Sequence, residues 1–176
     1  PDAYALSDAV KQILGIERIY AAAIDGDSAS DEERRSAIVQ TAVPILSKAF
    51  RSAKTVGIGW GRTMYATSLK LPYRRSDDDT CCIPLICVSG TNNPALQINT
   101  IVDRMAEKHP AKSFFVSQPT YRSKESSLSG IDKKRIEELR SLWYTVDLAV
   151  FGLGTPPQEG NFFITELDPV HAEGIR

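Results

Sequence analysis

The chain is predicted to be an α/β protein with a mostly parallel sheet flanked by helices. Three observations predict this. Short apolar runs of strand length alternate about five times with stretches of helical periodicity. Loops of small residues with glycine follow three of those runs, at 59–63, 89–93 and 152–155. The length, 176 residues, suits one domain with a sizeable core.

Leu6, Val10, Ile13 and Leu14 lie on one face of a helix over 4–14, which Gly15 ends as a C-terminal cap. Residues 17–24 are expected to form a strand, followed by a turn at Asp25-Gly26-Asp27. Ser30 and Glu33 make a capping box for the next helix, whose apolar stripe is Ile38, Ala42, Ile45, Leu46 and Ala49. Pro44 should kink that helix; the alternative is that it stops near Val43. The central strand is 55–58, and the segment from Thr63 to Leu71 holds no helix breaker before Pro72. Asp77-Asp78-Asp79 is a solvated charge run in a polar link. Strand 81–88 leads into the second loop. Asn93 then caps a helix over 94–108 with Pro94 as its first residue and Ile98, Ile101, Val102 and Met105 on its buried face. A short strand over 113–116, a helix over 132–143 and a strand over 146–151 complete the alternation.

Composition excludes several classes. Hydrophobic content of 42% and charged content of 24% are ordinary for a globular protein. Lysine and arginine total 21 against 22 acidic residues, so the net charge of −1 leaves no footprint for nucleic acid or an anionic membrane. No apolar run nears the roughly 20 residues of a membrane span. The N-terminus carries no signal pattern. Cys81, Cys82 and Cys87 share one apolar stretch, as buried reduced thiols in the cytoplasm would. Neither His109 nor His171 lies at zinc-ligand spacing from them, so no metal is expected.

The segment Gly57-Ile58-Gly59-Trp60-Gly61-Arg62-Thr63 is the most informative. Strand, glycine turn and helix start follow one another there, and a helix start with glycine suits a phosphate. Arg62 adds a fork of donors and Thr63 a hydroxyl. Two familiar loops are excluded. The dinucleotide fingerprint would need glycine at 62, and the Walker A loop would need glycine at 56 and lysine at 62. A turn that merely requires positive φ is the plain alternative. In parallel sheets ligands sit beyond the carboxyl ends of the strands, so the three glycine loops converge if their strands are neighbours.

Val56 to Thr63 resembles the first ligand loop in the sugar-binding domain of SorC/DeoR-type transcriptional regulators. Leu96 to Ile101, running on to Lys108, resembles the helix after that domain's second loop. Val146 to Gly154 resembles a later strand and turn, and Leu14 to Glu17 its entry. The resemblance covers nearly the whole chain. It implies a fold related to glucosamine-6-phosphate deaminase and ribose-5-phosphate isomerase, with the C-terminal part of the domain not represented. It implies one effector-binding domain over 1–176, with a DNA-binding helix-turn-helix expected upstream. It also implies a phosphorylated sugar as effector, no cofactor, a cytoplasmic location, DNA contact only through that upstream module, no membrane partner, and a homo-oligomer (dimer or tetramer). The implied phosphate grip falls on Gly61, Arg62 and Thr63. The implied sugar or second-phosphate contacts fall on Gly90, Thr91, Asn92, Asn93 and Gln97. Gly154 and Thr155 of the third loop are further candidates. Trp60 either packs under the sugar or fills the space between helix and sheet.

An isomerase or deaminase acting on sugar phosphates is the alternative function. It needs an acid or base near the reacting carbon. The first two loops hold no carboxylate, histidine or lysine. Glu159 is the nearest candidate base and has no paired group, Ser89 has no nearby histidine, His109 is expected to end a helix, and His171 has no identifiable partner. No catalytic residue is therefore assigned.

Overall fold

The computed structural model describes residues 3–24, 28–74, 79–88, 93–120 and 129–154. Four parallel strands form one sheet: β1 (Thr55–Ile58), β2 (Cys81–Pro84), β3 (Lys112–Ser113) and β4 (Leu148–Val150), in the order β3-β2-β1-β4. β1 is central and pairs with both β2 and β4, with Val56 opposite Cys82 on one side and Leu148 on the other. Five helices accompany the sheet: α1 (Ala3–Leu14), α2 (Asp31–Ala49), α3 (Arg62–Lys70), α4 (Ile98–Lys108) and α5 (Gly130–Trp143). α2 packs on α3, α3 on α4, and α4 and α5 each against β2.

The core joins Val56 and Ile58 of β1, Cys82 of β2 and Val150 of β4 to Ile98, Ile101, Val102 and Met105 of α4, with Met64 and Leu139 from α3 and α5. The helical periodicity of 98–105 therefore marks the buried face correctly. The α2 capping box is present: the Glu33 N–H donates to Ser30 Oγ, and the Ser30 N–H donates to Glu33 Oε2 at 2.7 Å. α2 continues through Pro44 to Ala49. Its packing on α3 outweighs the single backbone bond that proline removes.

Other expectations need correction. Residues 17–24 form no strand, because a β-rich run becomes a strand only where a sheet edge accepts its backbone. The apolar face of α1 is exposed, with Ile13 at 80% and Leu14 at 63%. Periodicity shows that a face wants cover, not what covers it. β2 ends at Pro84, earlier than the expected Val88, although Leu85 N–H still donates to the Ile58 carbonyl at 2.8 Å. The expected helix over 94–108 is a 3-10 turn (Pro94–Leu96) followed by α4. The turn expected at 25–27 and most of the acidic run lie outside the described residues.

Opposite the glycine loops, Asp147 anchors the start of β1. Its carboxylate accepts the Lys54 and Thr55 N–H groups at 3.0 Å each. Those bonds, the one from Lys54 first, hold its pKa below the usual carboxylate value.

Candidate functional site

β1, β2 and β4, the strands that precede the three glycine loops in the chain, are neighbours in the sheet. Most of the second loop, 89–92, lies outside the described residues. The first loop touches the residues that lead from β4 into the third. Gly59 N–H donates to the Val150 carbonyl at 2.7 Å, and a Cβ on Gly59 would lie 2.6 Å from Phe151 Cβ and 3.0 Å from its Cα. Only a residue without a side chain fits that crossing. The first loop also reaches the exit of the second, where Trp60 Nε1–H donates to the Leu96 carbonyl at 2.5 Å.

Gly61 turns the chain from this crossing into α3. Its φ of 131° and ψ of 169° belong to a region essentially restricted to glycine. A helix capped by glycine receives no side-chain acceptor at its first turn. Arg62 and Thr63 open α3, with Arg62 exposed and Thr63 half-buried. Met64 behind them is buried in the core, so the helix start is held against the sheet. The positive φ at Gly61 satisfies the plain reading of the loop as a strained turn, and the same backbone aims a helix N-terminus past the end of β1.

In the second loop, Asn93 is exposed and caps the 3-10 turn, its Oδ1 accepting the Ala95 N–H at 3.0 Å. Gln97 is half-buried at the junction between that turn and α4. Gly154 lies exposed past β4. Gly90, Thr91, Asn92 and Thr155 lie outside the described residues, as do Ser89, Glu159 and His171.

The family model described as "Putative sugar-binding domain" matches residues 2–170. The chain belongs to this family, the sugar-binding domain of SorC/DeoR-type regulators. It is 26% identical over 153 residues to the sorbitol operon regulator of Klebsiella pneumoniae, a match that covers 86% of this chain and 48% of that protein. The chain thus spans about half the length of that relative. A DeoR family transcriptional regulator from Listeria monocytogenes shares the fold with a TM-score of 0.73 at 23% identity, covering 99% of this chain and 68% of that one. The full-length sorbitol operon regulator structure from Klebsiella pneumoniae does so with a TM-score of 0.69 at 22% identity, covering 92% and 52%.

Among the described residues, the three cysteines and His109 have perturbed titration. Burial pushes the Cys82 thiol up to about 12 and raises those of Cys81 and Cys87, so all three are weak nucleophiles. His109 ends α4 and stacks on Phe50 with ring centroids 4.6 Å apart. Its Nε2 is buried and meets no hydrogen-bond partner among the described residues. Burial first, and then the Arg74 charge, hold its pKa below the ordinary histidine value. Among the described residues no group of three His, Cys, Asp or Glu side chains could hold a metal ion. No helix among them is long and apolar enough to cross a membrane. A cleft of about 470 Å³ runs along α4 beside Ser68, Asp103, Arg104, Lys108 and Phe115, and none of its lining residues comes from the three loops.

One contact was not legible in the chain. Trp60 was visible as a candidate, but nothing near it in sequence names the Leu96 carbonyl, 36 positions away, as its partner.

Proposed function

We propose that residues 1–176 are the effector-sensing domain of a transcriptional regulator of carbohydrate metabolism. The domain binds a phosphorylated sugar, and binding modulates how the parent protein engages DNA through a separate helix-turn-helix. The observation that carries this reading is the start of α3, where a glycine-capped helix opens with Arg62 and Thr63 just past the central strand β1. A helix N-terminus favours a dianion, and an arginine fork adds two charge-assisted bonds. Gly61, Arg62 and Thr63 grip the phosphate. Gly90, Thr91, Asn92, Asn93 and Gln97 face the sugar, and Gly154 and Thr155 border it. The family and the names of its relatives as operon regulators support the sensing role.

The experiment is calorimetry on the full parent chain with a phosphosugar and its unphosphorylated twin. Hydrogen bonds to a charged partner are worth roughly 1.5–3 kcal/mol each, so Arg62→Ala should weaken phosphosugar binding by about tenfold to a hundredfold. Arg62→Lys should recover part of the loss, since a point charge replaces the fork. A folded Arg62→Ala protein that binds as tightly as the original would leave the loop a structural turn only.

A further inference from the structure

Trp60 belongs to the first loop, yet its polar atom serves the second. Periodicity predicts one helix beginning at Pro94, and an unbroken helix would pair the Leu96 carbonyl with the Thr100 N–H. The structure breaks the helix at Gln97, whose φ of −62° and ψ of 136° are extended. The Pro94 carbonyl accepts the Gln97 N–H at 3.3 Å and the Thr100 hydroxyl at 2.8 Å. The first bond of α4 then runs from the Ile101 N–H to the Gln97 carbonyl at 3.1 Å.

Leu96 is left between the two ladders. It is 8% exposed, and a buried carbonyl without a donor is costly. The Trp60 indole N–H supplies that donor. In an unbroken helix the Thr100 N–H would reach the oxygen that the indole engages here.

We propose that Trp60 is the positioning residue of the second loop. By holding the Leu96 carbonyl it keeps the break at Gln97, and so sets Asn93 and Gln97 relative to Arg62. The consequence for binding rests on the sugar-phosphate reading; the placement itself does not.

Trp60→Phe keeps an aromatic ring and removes the donor. In the ligand-free protein, the Cα chemical shifts of Leu96 and Gln97 should move toward helical values, and unchanged shifts across 93–101 would overturn the proposal. Should Trp60→Phe fail to fold, the unsubstituted protein decides. Its Trp60 indole proton should exchange with solvent as slowly as that of Trp143, which donates to the Pro84 carbonyl at 2.8 Å. Exchange at the rate of an exposed indole would overturn the proposal equally.

A binding arm uses fructose 6-phosphate with the full parent chain. Gln97→Ala should weaken binding by about fivefold in the unsubstituted background, within the range of one lost hydrogen bond. It should add nothing in the Trp60→Phe background, whereas Arg62→Ala should weaken binding in both. An equal Gln97→Ala penalty in the two backgrounds would show that Trp60 does not place Gln97. An unsubstituted protein that ignores every phosphosugar offered would sink the sugar-phosphate reading, and the chemical shifts would still decide the placement.

Discussion

Gly59 and Gly130 differ in what a methyl group would meet. At Gly59 it would press on the backbone of Phe151, while at Gly130 nothing lies within 4 Å. Overpacking of this kind costs about 1–3 kcal/mol. Gly59→Ala should therefore lower stability by about that much in urea unfolding, and Gly130→Ala should be neutral or slightly stabilising. Equal effects of the two would show that the crossing of the first and third loops is looser than its distances indicate. His109 gives a second prediction at this scale. Its folded pKa lies below the unfolded value of about 6.5, so the unfolded chain binds the extra proton first as pH falls. Stability contributed by the neutral ring is full above about pH 6.5 and is lost as pH drops toward the folded pKa. Unfolding free energy should decline as pH falls below about 6.5, and His109→Phe, which keeps a ring on Phe50, should flatten that decline. A slope unchanged by the substitution would place the titration elsewhere.

At the scale of elements, β1 is held at both ends by groups from the β4 side of the sheet. Asp147 receives two N–H groups at its start, and the Val150 carbonyl receives Gly59 just past its end. The register of β1 against β4 thus stands on a side chain at one end and a bare backbone contact at the other. Asp147→Ala removes one end. The carboxylate is exposed and water can replace it, so the loss should be about 1 kcal/mol and not the larger value of a buried charged bond. Because its folded pKa is depressed, the carboxylate contributes fully above the unfolded value of about 3.9, and that contribution is lost as pH falls through the folded value. Thermal unfolding at pH 7 and pH 3 reads this directly: the gap between Asp147→Ala and the original should shrink at pH 3. A constant gap would mean that the residue matters for reasons other than its charge.

For the whole molecule, the proposed sensing role predicts binding without turnover. A sugar-phosphate isomerase or deaminase needs a positioned acid and base. The described parts of the loops carry a guanidinium, a hydroxyl, amides and an indole, none of which is a general base near neutral pH. Phosphosugars incubated with the full parent chain should stay unchanged by NMR while still raising its melting temperature through preferential binding to the folded state. Chemical conversion would replace the sensor reading with an enzymatic one.

The order of the elements and most of the helices could be read from the chain, because periodicity and caps are local properties. The buried face of α4, the Ser30–Glu33 box, the Gly15 turn and the glycine loops after strands all follow from residues within a few positions of one another. The family was suggested by four segments taken together, at 14–17, 56–63, 96–108 and 146–154. What tertiary structure decided was every question with a distant partner. The run at 17–24 has strand chemistry and takes no place in the sheet, because pairing depends on an edge and not on propensity. The adjacency of β2, β1 and β4 depends on how the strands are ordered in space. α4 starts at Ile98 and not at Pro94, and the Leu96 carbonyl before it finds its donor in an indole 36 residues away. A sequence displays which groups need partners; only the folded chain determines which partner each one finds.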